Sequence, residues 1–354
     1  MANQFLTLKD ITALDHLTDP ASVGLVNTIV NVAPELKVIL GRPITGISYD
    51  ATILTAAGSN GGFRRANSGV AVSAPSLDVK RFNCFAWDVQ NSVDEAVLVE
   101  RQSSGETPAT VFGTIAKANA IQEFIKLGRQ FYGGSLVDPL GCPGMVDYLY
   151  TQRTQLDSRT GLKIDQVIDA GGTGSNCETA WFINVGSQGV HWLWGLGRGI
   201  VMNPWMPQYG ASPDSTAANP LRQRQWNSNM FGFIGTSMAN PHSIGAIINI
   251  DNTISAAGVY ANPLTDALVA ALYAKFPIET LTDANVSMVC MASKKTLAGL
   301  QTQRTVTNFV NGGSREWTRG SAPVADFPSN LPTFNNIPII PTDSITAGAR
   351  YIVN

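Results

Sequence analysis

Hydrophobic residues near the start of the chain come in short runs separated by prolines. Residues 1–43 alternate apolar runs such as Val23–Val32 with Pro20, Pro34 and Pro43. Proline has no backbone N–H and disfavours the helical conformation in the residue before it, so a long helix cannot form here. The pattern predicts an N-terminal arm over residues 1–43 that lies on another surface and does not build a core.

The following region changes to strand-like segments around a glycine-rich centre. The segment Gly58–Gly62 lies between them and predicts a long β-hairpin over residues 44–100. An isolated two-stranded hairpin is marginally stable in water, so its tip needs a partner surface. The strand-like segments are Ile47–Leu54, Gly69–Val72, Val79–Asp88 and Ala96–Val99. The tip residues that we expect to make the contact are Gly58, Gly61, Gly62, Phe63, Arg64 and Arg65.

A helical spacing of apolar residues begins after the hairpin. Thr107 is a capping hydroxyl residue, and Pro108 suits the first helical position. The pair Gly133-Gly134 marks the end of the pattern. We therefore predict one long helix over residues 108–131, which is about six turns. The apolar residues that repeat at helical spacing are Val111, Ile115, Ala118, Ile121 and Ile125.

The remainder of the chain mixes strands and helices in separate groups, which predicts an α+β fold. A polar, proline-rich excursion is expected over 204–224. We predict one domain over 101–255, which contains the long helix, and a second domain over 256–354. The predicted strands are 179–185, 189–196, 243–251 and 286–291, the predicted helices are 264–275 and 294–302, and a strand-turn segment closes the pattern at 336–345.

Composition adds a constraint on the surface. Only 14% of the 354 residues are charged, compared with about 25% in an ordinary soluble domain. Something other than charge must cover much of the surface, and neighbouring copies of the chain are the simplest candidate. The formal net charge is -2, which gives no long-range attraction for nucleic acid and argues against a dedicated DNA-binding role.

Cysteine spacing and the N-terminal sequence bear on metal sites and location. Cys84, Cys142, Cys177 and Cys290 lie far apart without the spacing of a metal site. We expect them to be reduced packing residues, and we expect no cofactor and no metal. The first ten residues lack the basic and apolar segments of a secretion signal, and no apolar stretch is long enough to span a membrane. We therefore expect the chain to remain in the cytoplasm until it joins its assembly.

The order of arm, glycine-tipped hairpin, long helix and mixed domains resembles the major capsid proteins of tailed double-stranded DNA phages with the Hong Kong 97-type fold. Asn336 and Ala292-Ser293 depart from the family pattern, in which glycine and Asn-Arg are common at these places. The motifs most similar to podophage-like members are Gly171–Asn176, Ala180–Gly186, Gly189–Trp192, Met291–Leu297 and Phe334–Ile345.

The resemblance implies a structural role without catalysis. Residues 101–255 would form the peripheral domain around a spine helix, and residues 256–354 the axial domain. The chain would self-assemble as pentamers and hexamers into an icosahedral head, a virion component built in the host bacterial cytoplasm. Implied partners are the portal, scaffolding and possible decoration proteins. Packaged double-stranded DNA would contact the inner surface non-specifically, and no membrane is involved.

One motif favours an enzyme instead. The segment Gly235–His242 resembles the nucleophile segment of subtilisin-like serine proteases, with Ser237 as nucleophile. Such a serine needs a histidine base and an aspartate that orients it. The upstream His16 and His191 lack the expected His-Gly-Thr context, and no Asp-Thr-Gly or Asp-Ser-Gly turn is present. We therefore favour the capsid function, in which this segment is a glycine turn before the strand at 243–251, and keep the protease as the alternative.

Three other features have ordinary structural interpretations. The loop Gly171–Gly174 lacks the Gly-Lys-Ser/Thr ending of a phosphate-binding loop, so we expect a turn. His191 and His242 have no further ligands at metal-site spacing. Tryptophans at strand positions usually fill a core or a subunit interface, and we expect this of Trp181, Trp192, Trp194 and Trp205.

Overall fold

The computed structural model describes residues 33–56, 63–69, 74–154, 163–186, 188–211, 222–254, 260–277, 286–303, 317–319, 322–325, 333–334 and 337–348. Its helices are Glu35–Val38, Glu95–Ser103, Pro108–Gly133, Met145–Thr154, Asp266–Tyr273 and Lys294–Gln303. Its strands are β1 (Gly41–Pro43), β2 (Ser48–Ala56), β3 (Ser76–Asn83), β4 (Phe85–Asp94), β5 (Val167–Asp169), β6 (Cys177–Gly186), β7 (Val190–Trp194), β8 (Val201–Met202), β9 (Met206–Ala211), β10 (Arg222–Met238), β11 (Ile244–Ile254), β12 (Tyr260–Asn262), β13 (Val286–Ala292), β14 (Trp317–Arg319), β15 (Ala322–Ala325), β16 (Thr333–Phe334) and β17 (Ile337–Pro341).

A large mixed sheet forms the centre of the molecule. Its main path runs β16-β17-β13-β6-β7-β10-β4, and β11 lies beside β6. Every residue of β6 is buried, which is expected of a strand covered on both faces and explains its nearly continuous apolar sequence. Helices packed beside the sheet complete the α+β class that the sequence predicts.

The long helix begins and ends where its sequence signals lie. The Thr107 side chain accepts a hydrogen bond from the Thr110 N–H at 3.3 Å, and Pro108 occupies the first turn. The helix ends at Gly133, because Gly134 adopts a positive φ of 52°. Its buried face packs on the sheet through Phe131, whose ring lies 5.0 Å from that of Trp192. The helix predicted over 108–131 is therefore confirmed and extends to Gly133.

The two helices of the last third cover a second core. Val269, Leu272 and Leu300 are fully buried there. Glu178 of β6 ties the helix Lys294–Gln303 to the sheet, since its carboxylate accepts hydrogen bonds from Thr296 Oγ1 at 2.7 Å and from Ser293 Oγ. The predicted segments 264–275, 286–291 and 294–302 are thus confirmed in type and place.

One strand prediction is wrong, the excursion over 204–224 contains more regular structure than expected, and one helix was missed. Residues 96–99 were expected as a strand but lie in the helix Glu95–Ser103, because the Asp94 side chain caps its first turn through the Ala96 N–H. The excursion over 204–224 contains β9 and the start of β10, which pair with each other. The helix Met145–Thr154 was not predicted, since its apolar residues follow no clear periodic stripe.

The described end of the predicted arm belongs to the subunit core. Val38 and Ile39 are buried in the main hydrophobic cluster, and β1 pairs in parallel with β7 from Gly41↔Trp192 to Pro43↔Trp194. For residues 33–43 the expectation of a segment lying outside the core is therefore wrong. Apolar residues between the prolines pack against this chain's own sheet. Residues 1–32 lie outside the described part of the chain.

Replacement of Thr107 by alanine tests the cap of the long helix. We expect Thr107→Ala to lower the free energy of unfolding by about 1 kcal/mol, because the Thr110 N–H loses its side-chain acceptor. Thr114→Ala is the matched control: its hydroxyl donates back to the Thr110 carbonyl within the same helix and caps nothing, so little change is expected. Urea denaturation of the dispersed subunit measures both, and equal effects would contradict the cap's role.

Candidate subunit interface

The projecting element of the structure is the hairpin of β2 and β3. The two strands pair antiparallel from Ser48↔Asn83 to Ala56↔Ser76, so the paired part is shorter than the predicted range 44–100. β4 leaves the hairpin and pairs with β10 in the central sheet. The corner between β3 and β4 is thus the point at which the hairpin leaves the body of the subunit.

One face of the hairpin base is fixed to the body by aromatic rings. Phe82 is buried and lies 6.2 Å from the Tyr148 ring, edge to face. The Tyr148 hydroxyl donates to the Thr236 carbonyl at 2.8 Å, which joins this contact to β10. The Lys80 ammonium lies over both rings, at 5.2 Å from Phe82 and 5.6 Å from Tyr148, and burial lowers the pKa of Lys80.

The other face of the hairpin is open to solvent and partly apolar. Leu77 and Val79 are exposed by 63% and 61%. Residues directly opposite each other on paired strands share a face, so Asp50 and Arg81 lie on this same side. Their side chains form a two-pronged ion pair, with Arg81 Nε and Nη2 donating to the Asp50 carboxylate at 2.7 and 2.9 Å. The outer face therefore carries two exposed apolar residues, Leu77 and Val79, and an ion pair whose two charges neutralise each other.

The described tip residues are exposed to solvent. Phe63 is fully exposed, and Arg64 and Arg65 are exposed as well. Arg64 Nη1 donates to the Ser68 carbonyl at 2.8 Å and the Ser68 hydroxyl to the Arg65 carbonyl at 2.8 Å, so this turn is held by its own residues. Gly58, Gly61 and Gly62 lie outside the described residues. The contact role of the tip remains a prediction.

The protease-like segment is a buried strand. Gly235–Met238 forms the end of β10, and the glycine turn expected there is wrong. Ser237 has no exposed surface, and among the described residues no hydrogen-bond partner reaches its Oγ. Its cross-strand neighbour is His191, which is buried against the Tyr49 ring at 6.0 Å. A serine in the interior of a sheet cannot meet a peptide substrate, so the geometry contradicts the protease alternative.

Gly235 has a packing reason to be glycine. An added Cβ would lie 2.6 Å from the Asn83 carbonyl oxygen and 3.2 Å from Cys84 Cα. These are backbone atoms of the corner between β3 and β4, which cannot move without shifting the hairpin. Glycine is therefore needed at position 235 because β10 passes so close to the corner between β3 and β4 that a side chain has no room.

The remaining sequence candidates are structural. Gly172 approaches the Asn249 carbonyl so closely that a side chain would overlap it, which explains the glycine-rich turn. Trp181 and Trp192 are buried in the core, and Trp205 stacks on Phe112 at 4.5 Å. Within the described residues, no group of three or more side chains is placed to hold a metal ion. No helix of these residues has both the length and the apolarity to cross a membrane.

A cavity of about 480 Å³ lies on the polar side of β4, β9 and β10. Its lining offers amide and hydroxyl groups for hydrogen bonding and contains no titratable side chain. General acid–base chemistry therefore has no group to use in this cavity. The lining residues are Gln90, Asn91, Ser92, Asn203, Pro204, Met206, Gln208, Gln225, Asn227, Ser228 and Asn229.

A buried carboxylate was missed by the sequence analysis. Glu35 has no exposed surface, accepts a hydrogen bond from Thr342 Oγ1 at 2.9 Å and accepts another from Ser344 Oγ. Burial raises the pKa of Glu35 to about 7, against the lowering effect of these hydrogen bonds. In the sequence Pro34-Glu35-Leu36-Lys37 this residue is indistinguishable from a solvated residue in a first helical turn, so no local signal could reveal it.

Comparison with known proteins places the fold. No family model and no curated protein matches the sequence. Among solved structures, a chain of bacteriophage Epsilon15 is 18% identical, with a TM-score of 0.55, and the match covers 88% of this chain and 87% of that one. The bacteriophage JBD30 capsid gives 11% identity and a TM-score of 0.40 over 96% and 99% of the chains. The Mycobacterium phage Cain gives 11% and 0.40 over 61% and 90%. The Epsilon15 match confirms the expected Hong Kong 97-type fold.

Two single substitutions separate the packing role of the protease-like segment from a catalytic one. We expect Ser237→Ala to leave the free energy of unfolding unchanged within about 0.5 kcal/mol or to raise it, because a buried hydroxyl without a partner is removed. Gly235→Ala should lower it by about 1–3 kcal/mol through overpacking against Asn83. Denaturant unfolding measures both variants. A peptidase activity of the parent chain that disappears in Ser237→Ala would contradict this assignment.

Proposed function

We propose that this chain is the major capsid protein of a tailed double-stranded DNA phage, with a structural and non-enzymatic role. It would self-assemble as pentamers and hexamers into the icosahedral head. The main observation behind the proposal is the hairpin. Its base packs against the body through Phe82 and Tyr148, whereas its outer face exposes Leu77 and Val79. The Hong Kong 97-type fold supports the same role.

The hairpin geometry favours a second copy of the chain as its partner. The outer part of β3 has solvent on both faces, since Ser76, Leu77, Asp78 and Val79 are all exposed. A two-stranded ribbon is marginal in water without a covered apolar face. A neighbouring subunit placed against this face would bury Leu77 and Val79 and would leave the Asp50–Arg81 pair intact at the rim.

The rest of the surface supports extensive self-association. Exposed apolar side chains also occur on the helix Glu95–Ser103 and after the long helix. Obligate interfaces commonly bury about 2,000–5,000 Å², and a chain with 14% charged residues pays a low desolvation cost when such areas meet. The exposed apolar residues in these two places are Val97, Val99, Leu136, Val137 and Leu140.

The finer features of the proposal follow the predicted organisation. Residues 1–43 would form the arm, with 33–43 anchored in the core through β1. Residues 44–100 would form the hairpin region together with β4 and the start of the helix Glu95–Ser103, residues 101–255 the peripheral domain with its spine helix, and residues 256–354 the axial domain. Portal and scaffolding proteins, and a decoration protein where one exists, are proposed partners. The near-neutral net charge of -2 suits a lining that contacts packaged DNA non-specifically. The proposed location is the virion, after assembly in the host cytoplasm.

A charge placed on the outer face of the hairpin tests its role in assembly. We expect Val79→Lys to abolish shells, tubes and capsomers in electron micrographs of the purified protein, because burial of an unpaired ammonium between subunits is costly. Folding should persist, since Val79 is 61% exposed. Ile254→Lys is the matched control, because Ile254 is 56% exposed at the end of β11, away from the surfaces proposed for self-association, so assembly should persist. A parent chain that stays monomeric at high concentration would overturn the proposal.

Charge reversal at the tip tests the predicted tip contact separately. We expect the double variant Arg64→Glu/Arg65→Glu to reduce the yield of sedimenting assemblies at least tenfold while leaving the thermal unfolding temperature unchanged. The reason is that both side chains are exposed and the turn keeps the hydrogen bond from the Ser68 hydroxyl to the Arg65 carbonyl when the Arg64 side-chain bond is lost. Lys295→Glu reverses an exposed charge on the body and serves as the control. A normal yield from the double variant would remove these two arginines from the interface.

A further inference from the structure

The carboxylate of Glu35 joins three distant parts of the chain. Glu35 lies in the short helix Glu35–Val38 near the base of the predicted arm, and its two hydroxyl donors, Thr342 and Ser344, follow β17. The long helix supplies the third side, because Gly128 faces both the Glu35 carboxylate and the Ser344 hydroxyl. A Cβ at position 128 would overlap these groups. Glycine at this point of a long helix costs about 1 kcal/mol relative to alanine, which the space for the carboxylate explains.

Glu35 is buried, and no cation among the described residues pairs with it. Its hydrogen-bond donors are neutral hydroxyls. A buried carboxylate normally has a charged partner or becomes protonated. These surroundings can therefore hold the Glu35 side chain in either its protonated or its ionised form.

Among the titratable groups near this site, Glu35 is the one expected to gain or lose a proton near neutral pH. On the long helix, Tyr132 faces the carboxylate, and burial, together with the charge of Glu35, raises the pKa of Tyr132 well above its ordinary value. Cys290 of β13 lies beyond Tyr132, and burial raises its pKa likewise. In the C-terminal segment, Asp343 pairs with Lys294 at 2.8 Å on the surface. The strand Ala322–Ala325 near the short helix contains no titratable residue.

We propose that Glu35 is a proton-controlled clasp that fixes residues 33–44 against the long helix and the C-terminal segment when it is protonated, and loosens them when it ionises. The inference concerns the subunit itself and does not rest on the proposed capsid function. Loosening would act on the helix Glu35–Val38 and on β1, while the pairing of β6 with β11 and β13 stays intact.

The direction of the pH effect follows from burial. The pKa of Glu35 is about 7 in the folded chain, against 4.5 for an ordinary glutamate. A raised pKa in the closed state means that closure is most favourable below about pH 4.5 and that this stabilisation is lost as the pH rises through about 7. Between pH 5.5 and 8.5 these two pKa values correspond to an increase of about 30-fold in the equilibrium constant for opening.

Hydrogen exchange of the full-length chain at the two pH values tests the clasp. After correction for intrinsic rates, peptides that cover 33–44 and 337–348 should exchange about 30-fold more at pH 8.5 than at pH 5.5, and at both pH values they should exchange faster than peptides from β6. Glu35→Gln, an uncharged analogue of the protonated side chain, should remove the pH dependence. Glu123→Gln is the control, because Glu123 is a surface residue of the same long helix paired with Lys126. Parent and Glu35→Gln chains with the same pH dependence would overturn the proposal.

A second variant keeps the test decisive if Glu35→Gln does not fold. The Ser344 hydroxyl lowers the pKa of Glu35, so its loss in Ser344→Ala should move the midpoint of the exchange transition to higher pH. A midpoint that stays where it is in the parent chain would contradict control by Glu35. Electron microscopy under the same conditions is independent of this result, so failure of the clasp and failure of the capsid proposal are distinguishable.

Discussion

The pairing of β10 is the constraint on which the rest of the structure depends. This single strand runs antiparallel to β4 from Gln225↔Asp94 to Ile234↔Phe85, and then to β7 from Ile234↔Trp194 to Met238↔Val190. It therefore connects the root of the hairpin to the most buried part of the sheet. The close passage of Gly235 past the Asn83 carbonyl fixes the corner from which the hairpin departs. The direction of the hairpin is thus set by the core.

The hairpin therefore has two parts: a base that packs against the body and an outer part that is exposed to solvent. At the base, Phe82, Lys80 and Tyr148 form a contact that the subunit satisfies alone. Farther out, Leu77 and Val79 stay largely exposed, and the described residues do not cover them. A rigid root with an unsupported outer part transmits any contact made by the outer part directly to the central sheet. The proposed function as a shell subunit needs this property, because stress between neighbours is then carried by the cores.

Sequence reasoning succeeded where the signal is local and failed where it is long-range. The long helix was predictable because Thr107, Pro108 and Gly133 mark its ends within the sequence itself. β10 was not, because the segment Arg222–Asn229 is polar and is a strand only through its pairing with β4 and β9. The helix Met145–Thr154 buries Gln152, whose amide donates to the Gln166 side chain at 2.7 Å, and such partners cannot be inferred from spacing. The resemblance in segment order succeeded because it summed many weak local signals.

Ser237 and Glu35 show why a site must be judged by its surroundings. Both side chains are completely buried, and the sequence singled out only the first. Ser237 lies in a packed strand without a partner for its hydroxyl among the described residues, so a sharp motif has no chemistry there. Glu35 has no motif, yet donors from the C-terminal segment and a glycine in the long helix shape a pocket for its carboxylate. Burial without neutralisation makes the protonation state of that carboxylate part of the folding equilibrium of the N-terminal segment.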